Sequence, residues 1–148
     1  MTRLMTAIGA LVMAATPVLA DDFQERRSAD DVATTMDRLV AAVEGAGATV
    51  FARVNHGAGA ASVELELVDA ELLVFGNPML GTPAIQDDIR AGLVLPLRVL
   101  VYGDGDGSVI TWETPDSMFD DLEIEDDAPY IERMNGALDN LTAAAAGE

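Results

Sequence analysis

"LVLPLRVLVYGDGDGSVITWE", Leu93 to Glu113, is the stretch that decides how this chain folds. Leu93 to Tyr102 is apolar and reads as a central strand. Gly103 to Ser108 reads as a hairpin turn, and Val109 to Glu113 as the return strand. Pro96 has no N–H to give to a ladder, so it belongs near the start of the first strand or at a bulge. A hairpin makes its two strands antiparallel, and the rest of the chain can be placed around that sheet.

Upstream, Glu71 to Phe75 reads as a buried strand. Val63, Leu65 and Leu67 alternate with Glu64 and Glu66, which predicts an extended segment with one wet face. Gly57 to Ser62 is small-residue sequence with room for one helical turn. Thr49 to Val54 alternates and favours a strand, ended by Asn55-His56-Gly57. Before it, Val32, Met36, Leu39, Val40 and Val43 recur at helical spacing. Ser28-Ala29-Asp30-Asp31 offers that helix a capping-box-like start, and Gly45 and Gly47 close it. Asp22 to Arg27 is a short edge strand. Between the strands, Pro83 to Arg90 reads as a short helix with Thr82 as N-cap and Pro83 first. Downstream, the acidic segment Asp116 to Asp127 holds a short helical stretch around Met118, Phe119 and Leu122. A last helix starts near Asp127 and Pro129 and buries Ile131, Met134, Leu138 and Leu141. Strand, helix, several mostly antiparallel strands and a helix make an α+β domain of two layers, with helices on one face of the sheet.

The N-terminus reads as an address. Arg3 supplies a positive n-region, Leu4 to Ala15 an apolar h-region, and Val18-Leu19-Ala20 a small-residue cleavage site. Residues 1–20 are therefore expected to be a signal peptide cut after Ala20. Residues 21–148 are then one exported domain, periplasmic or secreted. The apolar stretch is shorter than the roughly 18 residues of a membrane span, so no membrane attachment is expected after cleavage. The chain has no cysteine, which excludes disulfides, thiolate metal sites and thiol nucleophiles. Its formal net charge is −18, with 26 acidic residues against 8 basic ones, all arginine. Such a surface repels a phosphate backbone and anionic lipid, so nucleic acid is not expected as a partner.

Val54-Asn55-His56, Phe75-Gly76-Asn77-Pro78, Gly81-Thr82-Pro83, Leu95-Pro96-Leu97 and the "DGDGSVITWETP" hairpin occur in an order that resembles the bacterial domain-of-unknown-function family 302. The resemblance runs from about Ser28 to Leu122. It implies a small fold in the style of the TATA-binding protein, β-α-β4-α, without implying DNA binding. It also implies homodimerisation, and no activity. Relatives usually carry an acid before the histidine, where this chain has Asn55. They usually carry an aromatic, often tyrosine, where it has Trp112.

The residues themselves offer few chemistries. His56, the only histidine, sits at a strand end where it can act as a general base, a single metal ligand, or a structural residue bonded to a facing loop. The frame Gly76-x-x-x-x-Gly81 looks like a phosphate loop, yet Thr82 takes the place of the lysine and Pro83 removes a donor. A plain turn followed by a helix start explains the same residues. Asp104 and Asp106 miss the calcium-loop register, because Val109 and Pro115 fall where glycine and glutamate belong. No metal site and no cofactor are expected. The sequence leads to an exported homodimeric binding or accessory module, with any small-molecule ligand expected where Asn55, His56, Gly76, Asn77, Gly81 and Thr82 converge. The alternative is a small hydrolase or isomerase with His56 as base and Asn77 or Thr82 orienting substrate.

Overall fold

The computed structural model describes residues 23–148. The expected leader, its cut after Ala20 and the first two aspartates lie outside those residues. Five strands form one antiparallel sheet in the order β1-β5-β4-β3-β2. They are β1 (Phe23–Ser28), β2 (Thr49–Asn55), β3 (Ala70–Gly76), β4 (Leu97–Asp104) and β5 (Gly107–Glu113). Six helices accompany them: α1 (Val32–Gly45), α2 (His56–Ala61), α3 (Pro78–Asp87), α4 (Ala91–Val94), α5 (Pro115–Phe119) and α6 (Pro129–Ala146). The α+β reading from the sequence holds, with the two long helices packed against each other and over one side of the sheet.

The hairpin forms with other bounds than expected: Leu93 and Val94 lie in α4, β4 starts at Leu97, and Gly103, Asp104, Gly107 and Ser108 belong to the ladder. Asp104 pairs with Gly107, leaving Gly105 and Asp106 as a two-residue turn. Gly105 has φ +63° and Asp106 does not cross to positive φ, the II′ pattern with glycine first. Gly107 is fixed by packing: a Cβ there would lie 2.4 Å from the Ser28 carbonyl oxygen. Pro96 stands just before β4, where its missing N–H costs no ladder bond.

The register assigns each side chain to a face. Leu73, Phe75, Val99, Val101, Ile110 and Trp112 point to the helices and are buried. They meet Met36, Leu39 and Val43 of α1 and Met134, Leu138 and Leu141 of α6 in one core. Each such large side chain contributes about 1.5–3 kcal/mol relative to exposure. Helix α1 closes with the two cross-bonds of a glycine cap, Ala48 N–H to Val43 C=O and Gly47 N–H to Glu44 C=O, with Gly47 at φ +74°. Its start differs from expectation. Asp31 caps it by accepting from Thr34 N–H at 2.8 Å. Ser28 instead ends β1, where its hydroxyl accepts from Thr35, which also meets Ser108 at 2.9 Å.

Two further expectations are corrected. The alternating segment Val63 to Leu67 is irregular and exposed, and it joins no ladder. Both sides of the following strand, β3, are taken by β2 and β4, and the segment does not add to either outer edge of the sheet, on β1 or β2. The helix expected from Pro83 begins five residues earlier, at Pro78. Asn77 supplies the cap, its Oδ1 accepting from Met79 N–H at 2.9 Å. Asparagine followed by proline is itself a helix start, and Pro83 is carried inside the helix. Gly81 and Thr82 are therefore helical residues and form no loop.

Candidate functional site

The antiparallel register separates the residues expected to converge. Thr49 pairs with Gly76, whereas Asn55 pairs with Glu71. Along β3 those pairs are five residue steps apart, Glu71 to Gly76, about 17 Å at the usual rise. His56 is thus at one end of the sheet and Gly76-Asn77 at the other. Two strand ends that look adjacent as sequence motifs are opposite ends of one ladder.

At the first end, β2 runs into α2. Asn55 Oδ1 caps that helix by accepting from Ala58 N–H at 2.7 Å, and Asn55 Nδ2 donates to the Glu71 carboxylate at 3.1 Å. An aspartate could make the first bond but not the second. Glu71 is buried and is also held by Arg53, which reaches across to Asp37 at 2.6 Å. His56 is exposed and takes part in none of the side-chain hydrogen bonds found among the described residues. No carboxylate orients it, and Asn77 and Thr82, the residues expected to position a substrate for it, are at the far end. A catalytic base is ordinarily oriented by a third group, and no side chain among the described residues hydrogen-bonds His56.

At the second end, the chain builds a cavity of about 410 Å³. Phe75 and Gly76 of β3 form its floor with Phe51 of β2. Leu80, Gly81 and Ile85 of α3 form one wall, Leu95-Pro96 another, and Met134, Ala137 and Leu141 of α6 the third. Gly76, Asn77, Gly81 and Thr82 all line it, so four of the six residues singled out in the sequence do share a site. The glycines explain the space. A Cβ on Gly76 would press on the Phe51 ring at 3.2 Å, and one on Gly81 would meet Leu95 at 3.7 Å.

The α3 wall is held in place from both ends. Asn77 caps its start, and beyond its last residue Asp88 is a buried bracket. The Asp88 carboxylate accepts from the Arg90 side chain at 2.6 Å, from Arg90 N–H at 2.8 Å and from Glu123 N–H at 3.0 Å. The Arg90 guanidinium, helped by those backbone donors, holds the Asp88 carboxyl well below the usual carboxylate range. Tyr130 of α6 donates its hydroxyl to Asp87 at 2.7 Å. Burial, reinforced by that carboxylate, pushes the Tyr130 phenol up to about 12.

The phosphate reading of this corner is closed by its own backbone. Pro78 has no N–H, Met79 N–H is taken by the Asn77 side chain, and Leu80 and Gly81 N–H both bond Asn77 C=O. No helix-start donor is left to face an anion. Among the described residues no three His, Asp or Glu side chains group as metal ligands. The other pocket walls, Phe51, Ile85, Leu95, Met134, Ala137 and Leu141, carried no signal in the sequence. As apolar residues at helix and strand spacing they are indistinguishable from core until the surfaces fail to meet.

The chain is similar over 82 residues to curated proteins named fluoride-specific ion channels. It is 46% identical to FluC 1 of Brucella suis, across 55% of this chain and 32% of that protein. It is likewise 46% identical to FluC 1 of Brucella abortus, across 30% of that protein. The chain thus spans about a third of the length of the curated relatives it matches. Its fold matches the crystal structure of a conserved DUF302 protein from Bacillus stearothermophilus with a TM-score of 0.70. That match covers 86% of this chain and 98% of the other at 16% identity. The family model described as domain of unknown function DUF302 matches residues 24–141. The β-α-β4-α frame, the signature residues and these matches agree, and the chain belongs to the DUF302 family.

Proposed function

We propose that this protein is an exported homodimeric module that binds a small molecule in the cavity between α3, α6 and the end of the sheet. The observation that carries the reading is the cavity itself. It is of small-ligand size, it is walled by a rigidly bracketed helix, and glycines stand where side chains would fill it. A thermal-shift screen of apolar metabolites tests this, with Gly81→Leu as the plugged control. Ligands should raise the wild-type melting temperature and leave the variant's unchanged. A screen in which every shift persists in Gly81→Leu would sink the reading.

The dimer is proposed through the sheet face turned away from the helices. Leu72, Val74 and Leu100 lie on that face with Tyr102, and they are only half buried. Glu25, Asp104 and Glu113 share it with Arg27 and Arg98, a net of 2 − 3 = −1 on a chain of −18. This makes it a surface on which two copies of an acidic chain can meet with little repulsion. Sedimentation should show a dimer for the wild type and a monomer for Leu100→Arg. A monomeric wild type refutes this part and leaves the cavity reading intact.

A second reading is favoured by the relatives. Proteins named as fluoride-specific ion channels share this sequence over less than a third of their length. On that ground the module works beside an anion channel as an accessory domain. A strain lacking the gene should then tolerate less fluoride. Unchanged tolerance would remove this reading.

A further inference from the structure

Every side chain lining the cavity is uncharged. That is unusual here, because the chain carries 34 charged residues and none of them reaches the lining. Its polar groups are limited to Asn77, whose Oδ1 is committed to Met79 N–H, and the hydroxyl of Thr82. The donors at the start of α3 are spent within the helix. An anion entering this space would lose its hydration and find no cation and no free N–H at the start of α3. Burying such a charge without a partner is far costlier than burying an alkyl chain with one hydroxyl. The chain's charge of −18 opposes the approach of the same anion from solution.

We infer that the cavity takes an uncharged, largely hydrocarbon molecule carrying one hydroxyl or carbonyl, and rejects its carboxylate analogue. Asn77 Nδ2 and the Thr82 hydroxyl are the groups that meet the polar end, and the aromatic and aliphatic walls take the chain. This rests on the cavity reading above and adds the ligand's charge class to it.

The test uses the full chain and the neutral fluorescent probe N-phenyl-1-naphthylamine, displaced by decanol or by decanoate at pH 8, below their micelle concentrations. Probe fluorescence should rise with the wild-type protein and fall away in Gly81→Leu. Should Gly81→Leu melt abnormally early, Ala137→Phe serves as the second plug. Decanol should displace the probe at least tenfold more effectively than decanoate. Equal displacement by both, or displacement by decanoate alone, overturns the inference about charge while the cavity reading stands. Probe binding that neither compound disturbs also overturns it. Probe binding that survives both plugging substitutions overturns the cavity reading and the inference together.

Discussion

The two ends of β2 and β3 use the same local device with different results. At one, β2 ends in Asn55, which caps α2; at the other, β3 ends at Gly76 and the next residue, Asn77, caps α3. The cap bonds are alike, at 2.7 and 2.9 Å. Helix α2, "HGAGAA", buries no residue at all. Helix α3 buries Ala84, packs on α6 and is tied down by Asp88 and Tyr130. A cap fixes where a helix starts. Whether the helix becomes the wall of a site depends on what its apolar face can meet.

The comparison can be broken most forcefully at the buried alanine. Ala84→Leu forces extra methylenes into a filled contact and should cost about 1–3 kcal/mol in urea denaturation. Ala61→Leu on exposed α2 should stay within about 0.5 kcal/mol. Comparable losses at the two sites would mean that α2 is packed as well. Removing the cap of the packed helix comes next. Asn77→Ala should lower global stability by about 1 kcal/mol. In hydrogen exchange of the wild type, α2 amides should exchange at fraying rates while those of α3 are protected.

The tie between α3 and α6 makes a pH-dependent prediction. Tyr130 has its folded pKa raised to about 12, above the ordinary value of 10.0. Its contribution is therefore complete below pH 10 and is lost as pH rises from 10 towards 12. Tyr130→Phe should be less stable than wild type at neutral pH and show a flatter alkaline limb in thermal melts. An unaltered alkaline limb would show that the phenol is not what titrates. The smallest effect is expected at Gly81→Ala. Alanine is favoured over glycine in a helix by up to about 1 kcal/mol, and its Cβ has ordinary contact distance to Leu95. The variant should be slightly more stable than wild type and bind an apolar probe more weakly, a sign that glycine is kept for space.

Local chemistry was readable wherever the cause was local. The hairpin, the glycine cap of α1, the apolar stripe of α6 and the absence of any thiol chemistry follow from residue types at fixed offsets. Where the sequence misled, two local signals competed or a partner was missing. Asn77-Pro78 and Thr82-Pro83 are both helix starts, and the earlier one won because it adds a turn that lays Leu80 against the core. Val63 to Leu67 has a strand's alternation but pairs with no strand, although the outer edges of β1 and β2 are open.

By itself the sequence determined most of the element types, the antiparallel hairpin that orders them, the acidic surface and the family signature, because each depends on neighbours along the chain. Only the tertiary structure decided which motifs share a site. His56 and Asn77 look equivalent as residues after a strand, and pairing Asn55 with Glu71 and Thr49 with Gly76 sends them to opposite ends of the sheet. The cavity belongs to the same class of facts. It is space left where α3, α6 and the sheet do not close, and empty space between distant segments has no residue of its own to announce it.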